Sequence, residues 1–184
     1  MKIWFVRHGE TEWNRTKRYQ GHSDIPLNEN GRRQAQDTAA LLAKEPLSAI
    51  YASDLKRAVE TAEAIAQTHE LRVQQKPELR ELHFGLWEGL RYEQIMEKWA
   101  DELSLMYEHP EKGCAPEGEG FSELAKRAWP ALQAIREAHQ EEEAIAVVAH
   151  GGTIRVLLCS LQEKSLQQLW DVAIEHGQAT RIDV

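Results

Sequence analysis

Short apolar runs alternate with helical stripes of apolar residues over the first 70 positions of the chain. Residues 3–6 and 49–52 are continuous apolar runs, which predict buried strands. Each run is followed by apolar positions at helical spacing. One helix is predicted to begin after the capping residue Asn28 and to stop at Pro46, and the other covers residues 55–66. This order of elements predicts parallel strands joined by helical crossovers, and therefore an α/β fold.

The second half of the chain continues the pattern with longer interruptions. The apolar run at residues 144–149 is the clearest buried strand, and a helix is predicted directly after it at 153–161. Two more helices are predicted over residues 92–106 and 121–135. We expect Pro130 to kink the second of these, because proline removes a helical hydrogen bond.

The segments between these elements are predicted to be irregular or short strands. Residues 77–89 lack a helical period and are predicted to form a loop. Residues 109–120 contain two prolines and three glycines among charges, which predicts a surface excursion. We also predict short strands at Leu71 to Val73, around Val172 and around Thr180.

Composition limits the kinds of partner that the protein can have. The chain has 184 residues, of which 42% are apolar, so we expect a single globular domain over residues 1–184. Its net charge of −8 disfavours nucleic acids and anionic membranes as partners. Cys114 and Cys159 are too far apart for a metal motif and fit reduced thiols. The first apolar run is too short for a signal peptide, and we expect a cytoplasmic protein.

Two of the predicted strands end in the same way, with VRHGE at residues 6–10 and VAHGG at 148–152. The carboxyl ends of parallel strands line one edge of a sheet, where ligands bind. His8 and His150 would therefore face a common crevice if their strands are neighbours. Gly151 would leave a backbone N–H near a helix start, where anions bind.

Two arginines are expected at the same edge of the sheet. Arg7 directly precedes His8, and Arg57 lies in the first turn of the helix after the second strand. A guanidinium is planar, permanently charged and matched to the face of a phosphate group. The sequence therefore predicts a small electropositive pocket for a phosphate group in an acidic protein. The alternative for Arg57 is an ion pair with Glu60 or Glu63 on its own helix.

Four motifs follow one another across almost the whole chain: VRHGETEWN, SDLKRAVETA, ELHFGLWEG and VVAHGGTIR. In this order they resemble the histidine phosphatase superfamily, in its phosphoglycerate mutase-like branch. The resemblance implies a three-layer α/β/α sandwich with a mostly parallel sheet, and an enzyme that needs neither a metal nor another cofactor. A zinc hydrolase is the rival chemistry, but the chain has neither HExxH nor CxxC.

The resemblance implies a role for each candidate residue. His8 matches the nucleophile that becomes phosphohistidine, and an imidazole can attack only when it is neutral. The negative charge of the phosphoryl group would be met by guanidinium groups, backbone N–H groups and His150 as an imidazolium. The positions that match phosphate-binding residues of the family are Arg7, Arg57, His150, Asn14 and Gly21, to which the N–H of Gly151 is added.

Glu81 matches the family's general acid. It would protonate the leaving oxygen and later deprotonate the water that hydrolyses phosphohistidine, which requires a partly buried carboxyl that can hold a proton near neutral pH. Glu78 and Glu88 are the competing acids in the same charged segment. The apolar residues expected to bury the acid are Phe84, Leu86 and Trp87.

The other six histidines are interpreted as surface residues. His22 and His83 lie beside motif segments and are therefore also candidates for the wall of the pocket. The four without such a neighbour are His69, His109, His139 and His176.

The spacing of the motifs favours hydrolysis over phosphoryl transfer to a second substrate. His150 follows Glu81 by only 69 positions, whereas mutases of this family carry extra lid sequence between these two residues. A compact, more open site would admit water. A broad-specificity sugar-phosphate phosphatase and a phosphoglycerate mutase remain alternatives. A silent phospho-ligand binding module is the non-enzyme alternative, although binding alone does not need a proton donor such as Glu81.

Softer similarities concern the substrate. The segments YQGHSDIPLNENG, PEGEGF and HGQATRID are similar to those of the α-ribazole phosphatases of cobalamin biosynthesis. The resemblance implies a small phosphorylated metabolite as partner, with α-ribazole 5′-phosphate as the first candidate, and leaves a homodimer open. A nucleoside-like leaving group needs an apolar or aromatic wall. The candidates for that wall are Trp13, Tyr19, Phe84 and Trp87.

Overall fold

The computed structural model describes residues 1–184 and contains one five-stranded sheet. Its strands are β1 Lys2–Arg7, β2 Leu47–Ala52, β3 Val73–Gln75, β4 Ala144–Ala149 and β5 Ala179–Asp183. Across the sheet they have the order β3, β2, β4, β1, β5. The first four pair in parallel, and β5 is antiparallel to β1.

Six helices surround the sheet. They are α1 Glu12–Arg15, α2 Glu29–Leu42, α3 Lys56–His69, α4 Tyr92–Glu108, α5 Phe121–Glu137 and α6 Gly151–Leu161. The helices α2 and α3 pack together on one face of the sheet, and α5 and α6 on the other. The predicted three-layer α/β/α sandwich with a mostly parallel sheet is confirmed. No helix has the length and apolar character that crossing a membrane requires.

The central strand β4 explains why the apolar run in the sequence is unbroken. All six of its residues are buried. Ile145 and Val147 join the core beneath α5 and α6, while Ala146 and Val148 join the core beneath α2 and α3. A strand covered on both faces has to be apolar at every position. Each large side chain buried in this way contributes roughly 1.5–3 kcal/mol.

Pairing of β1 with β4 places the two histidine motifs side by side. The two strands are parallel neighbours, with Arg7 opposite Ala149. The next residues, His8 and His150, therefore leave the sheet together at its carboxyl edge, where the His8 N–H donates to the Ala149 carbonyl at 3.1 Å. Helix α6 begins at Gly151, so its N-terminus also lies at this edge.

Two of the predicted short strands have different outcomes. The one around Thr180 is confirmed as β5, but the one around Val172 is wrong. Val172 follows a 3₁₀ turn at Leu166–Asp171, and its carbonyl accepts a hydrogen bond from Arg155 Nε at 3.1 Å. The outer edge of β1 is already occupied by β5, so no sheet edge beside β1 is free for a further strand.

Three connecting segments are more structured than expected. The predicted loop 77–89 contains 3₁₀ turns at Pro77–Leu79 and Gly85–Trp87, and the short α1 had no signal in the hydrophobic pattern. Residues 109–120 are only partly a surface excursion, because Gly113, Ala115 and Gly120 are buried there.

The break in helical geometry lies in a different helix from the one expected. Helix α5 continues through Pro130 without interruption. The non-helical residue is instead Trp99 in α4, with φ −140° and ψ 45°. This residue divides α4 into two helical parts, and the second part leads to the carboxyl edge of the sheet.

Candidate active site

His8 is the first residue beyond β1, and only 3% of its surface is exposed. Its Nδ1–H donates to the Gly9 carbonyl at 2.7 Å, which leaves Nε2 as the unprotonated nitrogen. Burial, with the positive charges of Arg57 and Arg7, holds the pKa of His8 well below its ordinary value. The neutral imidazole needed for nucleophilic attack is therefore the resting form.

Arg57 stands in the first turn of α3 and is 1% exposed. Its Nη1 donates to the Ser23 carbonyl at 2.8 Å and its Nη2 to the Gly21 carbonyl at 2.7 Å. The alternative ion pair on its own helix does not form, and Glu60 lies 3.5 Å from Arg32 instead. Burial lowers the pKa of Arg57 to about 10, so it remains a cation at neutral pH.

Several buried polar atoms around His8 have no hydrogen-bond partner. Arg7 donates through Nη1 to the Ile174 carbonyl at 2.6 Å, but its Nε is unpartnered, as is Nε of Arg57. Both ring nitrogens of His150 are also unpartnered. Because buried polar groups nearly always have partners, this cluster fits a ligand with several acceptor oxygens. A phosphoryl group has that character and the complementary charge.

His150 is the residue before α6 and is completely buried. Its ring centroid lies 5.0 Å from that of His8. Burial, followed by the charges of Arg57 and His8, lowers the pKa of His150 well below its ordinary value. The site as it stands therefore holds a neutral His150 rather than the expected imidazolium. A bound phosphoryl dianion would offset the positive charges that disfavour its protonation.

Glu81 rests on the N-terminus of α6. Its carboxylate accepts hydrogen bonds from the N–H groups of Gly152 at 3.1 Å and Thr153 at 3.2 Å, and from Leu82 at 2.9 Å. A Cβ on Gly152 would lie 2.5 Å from Glu81 Oε1, so this close approach requires glycine. Helix N-termini stabilise negative charge, which accounts for the placement of the carboxylate.

The surroundings of Glu81 differ from the apolar pocket that we expected. Phe84 lines the same crevice. Leu86, however, is 45% exposed, and Trp87 is fully buried in the core beneath the site. The carboxylate is held by backbone N–H groups, which no pattern of apolar residues could have indicated.

The two competing acids do not reach the crevice. Glu88 accepts hydrogen bonds from the backbone N–H groups of His22 and Ser23, both at 2.8 Å, and so holds two loops together. The Glu78 side chain is exposed. Glu81 alone of the three candidates lies beside His8, which agrees with the predicted choice.

Asn14, Gly21 and Gly151 line the same crevice. Asn14 Oδ1 accepts a hydrogen bond from the Thr11 N–H at 3.0 Å. The NH₂ group of Asn14 therefore faces away from Thr11 and is available as a donor. Gly21 has φ +54°, a left-handed conformation that favours glycine, and its carbonyl fixes Arg57. The structure thus brings the predicted phosphate-binding positions together.

The crevice has a volume of about 320 Å³ and a strongly positive lining. Seven of the eight predicted site residues line it, and His150 is buried against the His8 ring. One carboxylate, that of Glu81, faces a set of basic side chains. The basic residues that line the crevice are Arg7, Arg57, Arg155, Lys17 and Arg18.

The rest of the wall is aromatic, and sequence reasoning found only part of it. Trp13 packs against Gly89 and Trp87 lies in the core, so neither predicted tryptophan lines the crevice. Tyr107 comes from the end of α4, and Trp170 comes from the 3₁₀ turn before β5, at positions that no motif marks. The aromatic residues that line the crevice are Tyr19, Phe84, Tyr107, Phe121 and Trp170.

His176 is a residue of the site that the surface interpretation missed. Its ring centroid lies 5.8 Å from that of His8, and its Nε2 is buried without a partner. Burial lowers its pKa to about 4. The following Gly177 donates its N–H to the Arg7 carbonyl at 3.0 Å, which ties the two segments together. The sequence contains a signal for this residue, because His176-Gly177 is a third His-Gly pair after His8-Gly9 and His150-Gly151.

Comparison with protein families shows which family the chain belongs to. The model of the histidine phosphatase superfamily (branch 1) matches residues 3–184. This chain belongs to the histidine phosphatase superfamily. The resemblance on four motifs is confirmed, and the chain is a phosphatase of this superfamily.

Relatives within the histidine phosphatase superfamily carry several different names. Phosphoserine phosphatase 1 of Hydrogenobacter thermophilus is 34% identical, over 96% of this chain and 83% of its own. Phosphoglycerate mutase-like protein 4 of Arabidopsis thaliana is 42% identical, over 85% of this chain and 69% of its own. Adenosylcobalamin/alpha-ribazole phosphatase of Escherichia coli is 31% identical, over 100% of this chain and 90% of its own. The solved structure of Bacillus stearothermophilus YhfR is 33% identical, with a TM-score of 0.93, and the match covers 100% of this chain and 91% of that one.

The buried histidines of this histidine phosphatase make its stability depend on pH. The pKa values of His8, His150 and His176 are all lowered in the folded state. Below about pH 6.5 the unfolded chain binds protons that the folded chain does not, so stability should fall as the pH drops. Each histidine contributes up to about 1.4 kcal/mol per pH unit until its folded-state pKa is reached.

Urea unfolding at pH 7.5 and pH 5.5 measures this effect. We expect a lower free energy of unfolding at pH 5.5, and a smaller difference in the His176→Asn variant. Replacement of the exposed His109 with Gln serves as the control and should leave the difference unchanged. Equal pH dependence in all three proteins would contradict the burial of His176 as a neutral group.

Proposed function

We propose that the chain is a metal-independent phosphomonoester hydrolase that works through a phosphohistidine at His8. Its substrate is a small phosphorylated metabolite of the cytoplasm, with α-ribazole 5′-phosphate as the first candidate. The observation that carries the proposal is the arrangement around His8. A neutral imidazole with Nδ1–H held by a carbonyl lies among cationic side chains, and a carboxylate lines the same crevice.

In the first step the lone pair on His8 Nε2 attacks phosphorus. The new N–P bond forms as the bond between phosphorus and the leaving oxygen breaks, and that oxygen takes a proton from Glu81. Charge on the three remaining phosphoryl oxygens is met by Arg7 and Arg57, by His150 and by the Gly151 N–H. These groups are already fixed by the fold, so positioning and electrostatics supply most of the rate.

In the second step a water molecule attacks the phosphohistidine. Glu81, now a carboxylate, takes a proton from the water as the oxygen–phosphorus bond forms. The N–P bond breaks, and the electron pair returns to His8 Nε2. Inorganic phosphate leaves, and Glu81 is again protonated for the next cycle.

The charge of the crevice supports a reaction without a metal ion. Arg7 and Arg57 line the crevice, and their positive charges can neutralise the phosphoryl oxygens, which is the role that a metal ion has in other phosphoryl-transfer sites. The one carboxylate that lines the crevice, Glu81, is engaged by backbone N–H groups.

The aromatic wall supports a leaving group with a flat apolar surface. Trp170 lies 5.1 Å from Tyr107 and 5.6 Å from Phe121 between ring centroids, and the Arg155 guanidinium lies 5.7 Å from the Trp170 ring. A benzimidazole nucleoside would contact such a surface by stacking. The name of the Escherichia coli relative agrees with this choice.

The exposure of the rim favours hydrolysis over phosphoryl transfer. Tyr107 is 42% exposed and Trp170 is 40% exposed, so water has access to the crevice from that side. A mutase has to protect phosphohistidine from water. A silent binding module would have no use for a proton donor beside the cations, and Glu81 lies there. A sugar-phosphate phosphatase would use the same two steps and differ only in the leaving group of the first.

A substrate panel in the presence of EDTA tests the proposal. The panel contains α-ribazole 5′-phosphate, phosphoserine, 3-phosphoglycerate and glucose 6-phosphate, with products identified as inorganic phosphate or a phosphorylated acceptor. We expect release of inorganic phosphate in EDTA. Stacking in the crevice should make kcat/KM for α-ribazole 5′-phosphate about tenfold higher than for the other substrates of the panel, which corresponds to about 1.4 kcal/mol. Trp170→Leu should remove this preference and leave glucose 6-phosphate hydrolysis unchanged.

Two results of the panel would contradict the proposal. Activity that disappears in EDTA and returns with zinc or magnesium would exclude the metal-independent mechanism. Transfer of phosphate between phosphoglycerates without release of inorganic phosphate would identify a mutase.

A further inference from the structure

The guanidinium of Arg127, on α5, is bound to the backbone segment that carries Glu81. Its Nη1 donates to the carbonyls of Glu78 at 2.7 Å and Arg80 at 2.9 Å. Its Nη2 donates to the carbonyl of Glu81 itself at 2.7 Å. Three carbonyls within four residues are thus held by a single side chain, which is an unusual concentration of hydrogen bonds on a connecting segment.

The acid Glu119 orients this guanidinium. Arg127 Nε donates to Glu119 Oε2 at 3.1 Å, and Nη2 donates to Glu119 Oε1. Glu119 Oε1 also accepts the His83 N–H at 3.0 Å. Although burial raises the pKa of Glu119, the contacts with Arg127 bring it below its ordinary value, so the pair is ionised. All five N–H groups of Arg127 are therefore used.

We propose that Arg127 is a positioning residue for Glu81, and that with Glu119 it sets the place of the general acid relative to the leaving oxygen. Arg127 does not line the crevice. It acts through the backbone of residues 78–81. The inference rests on the proposed function, since it assigns a role only if Glu81 transfers the proton.

The position of Glu81 is sensitive to small movements of its backbone. Its carboxylate lies on the N–H groups of Gly152 and Thr153, at a distance that already excludes a Cβ on Gly152. The Thr153 hydroxyl donates to the Arg80 carbonyl at 2.8 Å, on the same segment that Arg127 holds. The segment is thus fixed from α5 and α6 together. A displacement of about 1 Å at a reacting group can cost about a hundredfold in rate.

Leaving-group dependence separates positioning of the acid from a general structural role. An alkyl phosphate needs a proton on its leaving oxygen as the bond breaks, whereas a p-nitrophenyl phosphate does not. The parameter kcat/KM reports formation of the phosphoenzyme for both substrates. A loss confined to the alkyl phosphate therefore locates the defect at the acid.

The test compares Arg127→Lys with Arg136→Lys, since Arg136 lies in the last turn of the same helix and does not line the crevice. A lysine keeps the charge but cannot hold three carbonyls and Glu119 together. We expect Arg127→Lys to lower kcat/KM for glycerol 2-phosphate by about 10- to 100-fold and for p-nitrophenyl phosphate by less than about threefold. The affinity for vanadate, which reports the phosphate-binding groups, should not change.

Glu119→Gln is the second variant and keeps the acceptor for the His83 N–H. It should show the same selective loss with a smaller magnitude, because the guanidinium loses its charged partner. Equal losses for both substrates in either folded variant, or no loss in Arg127→Lys, would overturn the positioning role. A wild-type enzyme without phosphatase activity, or one in which Glu81→Gln has no selective effect, would instead overturn the proposed function.

Discussion

Replacing His8 with alanine should lower kcat for every phosphomonoester by at least about 10⁴-fold. The structure gives the reason, because His8 is the only histidine that lines the cationic crevice and its Nε2 is left unprotonated. Its neighbour His150 is completely buried beside the His8 ring, and its proposed role is to bind the phosphoryl oxygens rather than to attack phosphorus. The measurement is steady-state hydrolysis of p-nitrophenyl phosphate.

Binding of a phosphate analogue separates loss of chemistry from loss of the site. Arg7 and Arg57 are held by the carbonyls of Ile174, Gly21 and Ser23, none of which depends on the His8 ring. The His8→Ala variant should therefore still bind vanadate, although without a covalent bond to the histidine. A variant that retains kcat within tenfold of wild type would remove His8 from its role.

Replacing Glu81 with glutamine should have the second-largest effect. We expect kcat/KM for an alkyl phosphate to fall by about 10² to 10⁴, and that for p-nitrophenyl phosphate to fall much less. Glutamine keeps a carbonyl oxygen for the N–H groups of Gly152 and Thr153 but cannot transfer a proton. Leaving-group dependence of kcat/KM, measured on a series of aryl and alkyl phosphates, reports this loss.

The matched control for this variant is Glu78→Gln. Glu78 lies in the same segment, but its side chain is exposed, so no change is expected. If Glu81→Gln lowered kcat/KM equally for every aryl and alkyl phosphate of the series, another residue would be the general acid.

The part of the site that lies at strand ends could be predicted from the sequence. Because residues 3–6 of β1 and all of β4 are apolar, the ends of these strands could be located, and the polar residues after them had to meet at one edge. His8, His150 and Arg57 follow from this rule together with the motifs. The three-layer fold follows from the same alternation of strands and helices.

The part of the site that lies on long connections could not be predicted in this way. Tyr107 and Trp170 come from α4 and from a 3₁₀ turn, and they meet only in three dimensions. Neither the kink at Trp99 nor the irregular backbone around Val172 is indicated by a periodic pattern in the sequence. Glu81 was found by motif, but its binding to the N-terminus of α6 depends on a contact across 71 positions.

The interpretation of His176 failed for a different reason. The pair His176-Gly177 repeats the pattern of His8-Gly9, but the structure has no strand directly before it, because the strand predicted around Val172 does not form. The structure puts it beside His8 because the segment before β5 runs along the same edge of the sheet.

Trapping of the phosphoenzyme tests the central claim most directly. Glu81→Gln should form phosphohistidine from p-nitrophenyl phosphate, whose leaving group needs no acid, but should hydrolyse it slowly because the base is absent. Rapid quenching with labelled substrate should therefore give close to one phosphate per chain. The label should be acid-labile and alkali-stable, and should map to the peptide that contains His8. No label, or an acid-stable label on another residue, would contradict the phosphohistidine mechanism.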